Sequence, residues 1–278
     1  MNPAAPLRPL PVDVVSIQSQ VVYGHVGNNA AVPTLQAMGM RVAAVPTVIL
    51  SNTPHYPTLH GGTVPADWFA GYLQDLLARD VLAHVRAVLV GFLGAAEQTA
   101  VLAEWLGQAL RTRPTLRVHI DPVMGDFDHG AYTDPALAQA WHTLLPHAHG
   151  LTPNHFELEQ LAGGPLHTMD DVHNAASGLL GPTTQWVVVT SAAPRQWPSG
   201  QMHVALVTRA QRRVYSHAQI PCAAKGVGDL FAARLAGHLL TGMPVETAVD
   251  HACRHVVAVL RDTAARGWQE LALPLGRA

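Results

Sequence analysis

Apolar residues in this chain come in two arrangements. Continuous, often β-branched runs stand at 12–17 (VDVVSI), 87–93 (AVLVGFL), 116–123 (LRVHIDPV) and 186–193 (WVVVTSAA), with 41–50 (RVAAVPTVIL) as one or two further pieces. Runs that are apolar throughout, rather than alternating, are expected of strands covered on both faces. Between them, longer stretches predict helices over 28–38, 66–79, 95–111, 133–145, 155–161 and 169–180. HVALVT (203–208) and RRVYSHAQ (212–219) are separated by a short polar turn, which predicts an antiparallel hairpin. Two closing helices follow over 229–240 and 245–261.

This βαβα rhythm with a late β-hairpin predicts an α/β protein, a mostly parallel sheet sandwiched by helices. No long linker, charge block or internal repeat divides the chain, so 1–278 reads as a single domain. In such sheets ligands collect at the carboxyl ends of the strands.

Composition narrows the picture. With 278 residues, 49% hydrophobic and 13% charged, the chain can bury a sizeable core. The formal net charge of −2 and the lack of a basic stripe give no reason to expect a nucleic-acid partner. Its 17 histidines are scattered, with His147 and His149 the closest pair, and no HExxH spacing argues for zinc. Cys222 and Cys253 are far apart and form no CxxC, which fits a reducing cytoplasm. Residues 1–11 (MNPAAPLRPLP) lack an apolar signal region and read as a frayed leader. No run reaches the ~18 apolar residues of a membrane span.

Five segments carry candidate chemistry. In KGVGDLF (225–231), Gly226 and Gly228 let successive backbone N–H groups converge at a helix start, a generic anion site. Asp229 beside them is either a first-turn carboxylate that complements the helix dipole or a base for a hydroxyl. Lys225 reads as a solvated lysine before the turn. In HIDPVMGD (119–126), Asp121 ends a strand, where it could hold Mg²⁺ or cap the following turn. In LTPNHFELEQLAG (151–163), Asn154 and Glu157 stand at capping-box spacing, and Glu159 is expected to face solvent. SIQSQVVYGHVGNNAA (16–31) opens where a strand is expected to end near Ile17, and Ser19 lacks the GxSxG context of a hydrolase nucleophile. The fifth, SNTPHYP (51–57), has the composition of a polar turn.

In this order the five segments resemble the pyridoxal/pyridoxamine kinases of the ribokinase-like superfamily. The residues that carry the resemblance are SIQS (16–19), VVYGHVGN (21–28), Ser51, Asn52 and Tyr56, DPVMGD (121–126), the TPN and ELE–L elements within 152–161, and GVGDLFAA (226–233). GxGD marks the superfamily; the IQS–VYGHVGN opening together with DPVMGD is specific to the pyridoxal kinase branch. The likeness spans nearly the whole chain.

The resemblance implies a three-layer α/β/α sandwich and ATP-dependent phosphorylation of the 5′-hydroxymethyl group of pyridoxal, pyridoxamine or pyridoxine, in pyridoxal 5′-phosphate salvage. Asp229 would be the general base, and Gly226, Val227 and Gly228 the anion hole for the γ-phosphate. ATP would be met by Asp121, Thr152, Asn154, Glu157, Thr190 and Ser191, with Tyr132 in a segment that covers the nucleotide. Asp121 and Glu157 would organise Mg²⁺ largely through water, and K⁺ often assists in this family. Ser19 would contact the pyridine nitrogen, and Val26, Val48, Thr53, Pro54, His55 and Tyr56 would complete the vitamer side. A cytoplasmic homodimer is implied as well. Two positions depart from the family pattern: Gln20 stands where histidine is usual, and Pro54 where threonine is usual, so vitamer preference turns on that end of the site. The alternatives are a hydroxymethylpyrimidine (phosphate) kinase of thiamine synthesis, whose usual GSDxxGGAGIQAD-like opening is missing here, and a non-catalytic pyridoxal phosphate binder.

Overall fold

The computed structural model describes residues 10–273. Of the leader expected over 1–11, the first nine residues lie outside the described residues. The first half of the chain forms β1 (Val14–Tyr23), α1 (Asn28–Ala37), β2 (Val42–Asn52), β3 (Gly61–Thr63), α2 (Ala66–Ala78), β4 (Ala87–Val90), α3 (Ala96–Thr112) and β5 (Arg117–Ile120). A small hairpin, β6 (Gly125–Asp126) and β7 (Gly130–Ala131), precedes α4 (Pro135–Ala140) and β8 (Gly150–Leu151). Then come α5 (His155–Ala162), α6 (Met169–Gly178), β9 (Trp186–Val189), β10 (Gln201–Thr208), β11 (Arg212–Ala218), α7 (Val227–Leu240) and α8 (Val245–Arg266). Among the described residues no helix is long and apolar enough to cross a membrane.

One nine-stranded sheet runs β11-β10-β9-β8-β5-β4-β1-β2-β3. Its six central strands are parallel, and the β10–β11 hairpin and β3 close its edges antiparallel. The continuous apolar runs are explained by what covers each face. Val15, Ile17, Val88, Val90, Val187 and Val189 pack with Phe69, Leu102 and Val172 of α2, α3 and α6. The alternate positions Val14, Ala87 and Leu89 pack with Ala31 and Leu35 of α1 and Ala232, Ala233 and Ala236 of α7. Both faces are therefore buried, giving three layers with the late hairpin as expected.

The differences from expectation lie where strands or helices are short or weakly patterned. β1 does not stop near Ile17; beyond that residue it loses β4 as a neighbour but continues to Tyr23 along β2. A register shift between Gln18 and Gln20 falls opposite Pro46, which explains how a proline sits inside the single strand β2. The Asn28 side chain stitches this point by donating to Gln18 O at 3.1 Å and Val45 O at 3.3 Å. The helix expected over 133–145 is only α4 followed by two short 3₁₀ turns, at Trp141–Thr143 and Leu145–His147.

Candidate active site

The small residues of α7 decide the geometry of the site. Ala232, Ala233 and Ala236 let this helix lie against Ala31 and Leu35 of α1, so the two helix N-termini stand side by side at the carboxyl end of the sheet. Each is entered through a glycine at positive φ: Gly27 (+53°) before α1 and Gly226 (+84°) before α7. A Cβ on Gly27 would stand 2.2 Å from Ser19 O, and one on Gly226 would stand 1.9 Å from His25 O, so neither position admits another residue without movement. Across this junction the Gly27 N–H donates to Asp229 Oδ2 at 2.8 Å. Within α7 the first paired backbone N–H is that of Leu230, which donates to Gly226 O at 3.0 Å. The N–H groups of Val227, Gly228 and Asp229 thus form the open end of the helix. Asp229 sits deep in the fold but keeps partial solvent access, and burial raises its carboxyl above the usual range while the Gly27 N–H acts to lower it.

Asp121 follows β5 and is 7% exposed. Its backbone N–H donates to Val90 O at 2.8 Å, and the Thr152 hydroxyl donates to its Oδ1 at 3.1 Å. The side chain accepts from Thr152 of the neighbouring strand end, which decides against a turn cap. Burial and then the charge of Asp229 push Asp121 up to about 8. A Cβ on Gly228 would lie 3.6 Å from Asp121 Oδ2, so this carboxylate faces the α7 N-terminus directly.

Asn154 and Glu157 form a complete capping box on α5: Asn154 Oδ1 accepts from Glu157 N–H at 2.9 Å, and Glu157 Oε2 accepts from Asn154 N–H at 2.7 Å. Glu157 does more than cap. Its Oε1 accepts the Met124 N–H at 3.0 Å, and Asn154 Nδ2 donates to Gly125 O at 2.7 Å, so the DPVMGD turn is tied to α5. At 3% exposure, burial and then the charge of Asp121 raise Glu157 well above the carboxylate range. Glu159, expected at the solvent face, instead accepts from Leu166 N–H at 2.9 Å and lies 3.6 Å from His155 Nε2. The chain doubles back there at Gly163, which has φ +76°.

Three carboxylates, Asp121, Glu157 and Asp229, thus meet with raised affinity for protons, an excess of buried negative charge that a cation would offset. Among the described residues no group of three His, Cys, Asp or Glu side chains is arranged to hold a metal by itself. Two carboxylates completed by water and phosphate oxygens are the usual setting for Mg²⁺, and Asp121 with Glu157 fit it. Tyr132, 54% exposed, follows the β6–β7 hairpin, and its phenol is raised by burial and then by Glu157, Asp229, Asp126 and Asp121. Its backbone N–H donates to Met124 O at 3.1 Å, next to the DPVMGD turn. Lys225 is half-buried rather than solvated, and its charge acts on Asp126 of that hairpin.

Thr190 pairs in parallel with Asn154, and Ser191 follows in a left-handed conformation (φ +49°) at the end of β9. On the other flank, Ser19 is buried beside Gly27 while the adjacent Gln20 is exposed. Val48 is buried and Val26 half-buried. In the 51–57 turn, Thr53 is fully buried and Pro54 exposed, so threonine rather than proline takes the inward position. Tyr56 lies against His55, ring centroids 4.2 Å apart. Glu270, a buried carboxylate, accepts the His25 N–H at 2.8 Å; its one signal in the sequence is an acid inside an apolar C-terminal stretch.

A helix N-terminus open to an anion, a carboxylate beside it, a second carboxylate at the end of β5 (Asp121) and a third in the first turn of α5 (Glu157) suit transfer of a phosphoryl group to a hydroxyl compound. The phosphomethylpyrimidine kinase family model matches residues 23–273. A pyridoxine/pyridoxal/pyridoxamine kinase of Bordetella bronchiseptica is 55% identical over 273 residues, covering 98% of this chain and 96% of that protein. A pyridoxal kinase of Rubrobacter xylanophilus is 36% identical over 264 residues, 94% of this chain and 91% of that one. The structure of pyridoxal kinase from Leishmania donovani in complex with ADP and pyridoxine superposes with a TM-score of 0.86 at 29% identity, over 94% of this chain and 92% of that one. The chain belongs to the phosphomethylpyrimidine kinase family, in its pyridoxal kinase branch, and has the ribokinase-like fold.

Proposed function

We propose that this chain is a pyridoxal kinase, transferring the γ-phosphoryl group of ATP to the 5′-hydroxymethyl group of pyridoxal, pyridoxamine or pyridoxine. The observation that carries the reading is Asp229, held by the Gly27 N–H at 2.8 Å beside the open N-terminus of α7. It occurs in a chain 55% identical to a pyridoxine/pyridoxal/pyridoxamine kinase over 98% of its length.

Asp229 takes the proton of the vitamer hydroxyl as that oxygen attacks the γ-phosphorus, whose bond to the bridging β-phosphate oxygen breaks so that ADP leaves. Burial makes this carboxylate a stronger base, while the Gly27 N–H fixes its orientation. The N–H groups of Val227, Gly228 and Asp229 neutralise charge on the transferring group. Asp121, Thr152, Asn154, Glu157, Thr190, Ser191 and Tyr132 form the nucleotide side. When bound, Mg²⁺ would be held by Asp121 and Glu157 largely through water and would offset phosphate charge. Ser19, Val26, Val48, Thr53, Pro54, His55 and Tyr56 form the vitamer side, with Thr53 supplying the inward hydroxyl where Pro54 has none. The proposal includes one kinase domain over the whole chain, which no linker, charge block or repeat divides, and a cytoplasmic setting, which the two isolated cysteines fit; assistance by K⁺ and a homodimer are carried by the resemblance.

A hydroxymethylpyrimidine kinase is the competing reading, favoured by the description of the family model. Purified protein with Mg-ATP, offered pyridoxal, pyridoxamine, pyridoxine and hydroxymethylpyrimidine in parallel, separates the two. Formation of a 5′-phosphate from at least one vitamer at the higher kcat/KM supports the proposal. Turnover of the pyrimidine with none of the vitamers would replace it, and no turnover at all would favour a non-catalytic binder.

A further inference from the structure

After α8 the chain leaves regular structure at Gly267, yet the segment that follows is firmly held. Leu271 is fully buried in one cluster with Leu230, Phe231 and Leu235 of α7, and the Ala272 N–H donates to Thr263 Oγ1 at 2.9 Å. This packing carries Glu270 inward to 8% exposure. A buried carboxylate is unfavourable unless it is paired, and among the described residues no lysine or arginine lies in salt-bridge range of it; His55 Nε2 stands 3.9 Å from Oε1. Glu270 caps no helix and joins no strand, so the architecture alone gives no reason for it.

What Glu270 touches supplies the reason. Its Oε2 accepts the His25 N–H at 2.8 Å. The His25 carbonyl closes on Gly226 at the anion hole, and two residues on, Gly27 N–H holds Asp229 at 2.8 Å. Its Oε1 has no hydrogen-bond partner, and neither does the buried Thr53 Oγ1. The two atoms stand 2.8 Å and 2.0 Å from the point a Cβ on Gly24 would occupy, so both unpaired groups face one spot. Tyr56 packs its ring against His55, centroids 4.2 Å apart, and desolvation and then the Glu270 charge push its phenol up to about 12. Two loops distant in sequence converge on a single carboxylate.

We propose that Glu270 is a positioning residue of the phosphoryl-transfer site, acting through the 24–27 loop on Asp229 and through His55 on the vitamer. The inference rests on the proposed function and deepens it. Oε2 fixes the loop that supplies the hydrogen bond to the base. Oε1, 3.9 Å from His55 Nε2, sets its negative charge beside that ring and favours the tautomer that carries its proton on Nε2.

Two variants separate the two actions. Glu270→Gln keeps an acceptor for the His25 N–H but loses the charge toward His55. The vitamer KM should rise about tenfold while kcat falls less than about threefold and the ATP KM stays within about twofold. Glu270→Ala loses both partners, so kcat should also fall about tenfold, and deuterium exchange over residues 21–30 should quicken with that of α3 unchanged. The effect of His55→Ala on vitamer KM should shrink in the Glu270→Gln background. Vitamer and ATP KM rising together with a general loss of Tm would mean an architectural role and overturn the proposal, as would kcat and vitamer KM of Glu270→Ala within about twofold of the natural chain. If the natural chain turns over hydroxymethylpyrimidine and no vitamer, the functional reading fails by itself, and the same variants are read on that substrate and by exchange.

Discussion

Gly27 and Asp229 are 202 residues apart in the chain and 2.8 Å apart in the fold, backbone N–H to carboxylate Oδ2. The bond joins the N-terminal ends of α1 and α7, which the small residues of α7 bring together. Two glycine-entered helices thereby build one corner: one supplies the carboxylate and the open N–H groups, the other the donor that orients the carboxylate. A general base is effective only if it is both aimed and ionised, and the Gly27 N–H serves both needs.

Replacing Gly226 by alanine should break that corner. The new Cβ would meet the His25 carbonyl at 1.9 Å, from a backbone at φ +84° that alanine rarely adopts. We expect a loss of about 2–4 kcal/mol in urea unfolding and a fall in kcat of about 10²-fold as the N–H groups turn away from the phosphoryl position. Gly228→Ala is the contrast: its Cβ would find Asp121 Oδ2 at an ordinary 3.6 Å, so stability should be nearly kept.

Thr53→Val should separate substrate contact from stability. The Thr53 hydroxyl is fully buried and unpaired, so its removal should leave Tm unchanged or slightly raised. If that hydroxyl takes the role of the threonine displaced by Pro54, the vitamer KM should rise about tenfold with kcat nearly unchanged. A large Tm loss with unaltered KM would assign it to packing alone.

The carboxylates predict a pH trend in stability. Asp121 is raised from 3.8 to about 8, so between those values the folded protein binds more protons than the unfolded chain. Its stabilising contribution is complete below 3.8 and is lost as pH rises to about 8, and Glu157 is raised in the same sense. His119 and His255, lowered to about 3 and about 4, work in the opposite sense, but only below their ordinary 6.5. Urea unfolding of the ligand-free protein should therefore show declining stability from pH 6.5 to 8, and saturating Mg-ADP should flatten the trend by offsetting the charge. A slope that is the same with and without Mg-ADP would contradict this.

Most of the sheet was legible because its strands are continuous apolar runs, and the site segments because glycine, proline and acid follow those runs. β8, only Gly150–Leu151, and the β6–β7 hairpin are too short to show any period. The continuation of β1 through Gln18–Tyr23 was hidden by its polar residues, which pair with one neighbour and leave Val22 and Tyr23 exposed. Asp229, Asp121 and Glu157 announce themselves locally; what holds them does not. The Gly27–Asp229 bond and the grip of Glu270 on His25, 245 residues away, are products of packing between α1, α7 and the segment after α8. No local pattern encodes such a contact.

The most direct measurement is kcat of Asp229→Asn with pyridoxal and Mg-ATP, alongside its Tm. Asparagine keeps the shape and an acceptor for the Gly27 N–H but cannot take the proton, so kcat should fall by about 10²-fold or more with Tm within a few degrees of the natural chain. Turnover equal to that of the natural chain would show that Asp229 begins α7 and does nothing more.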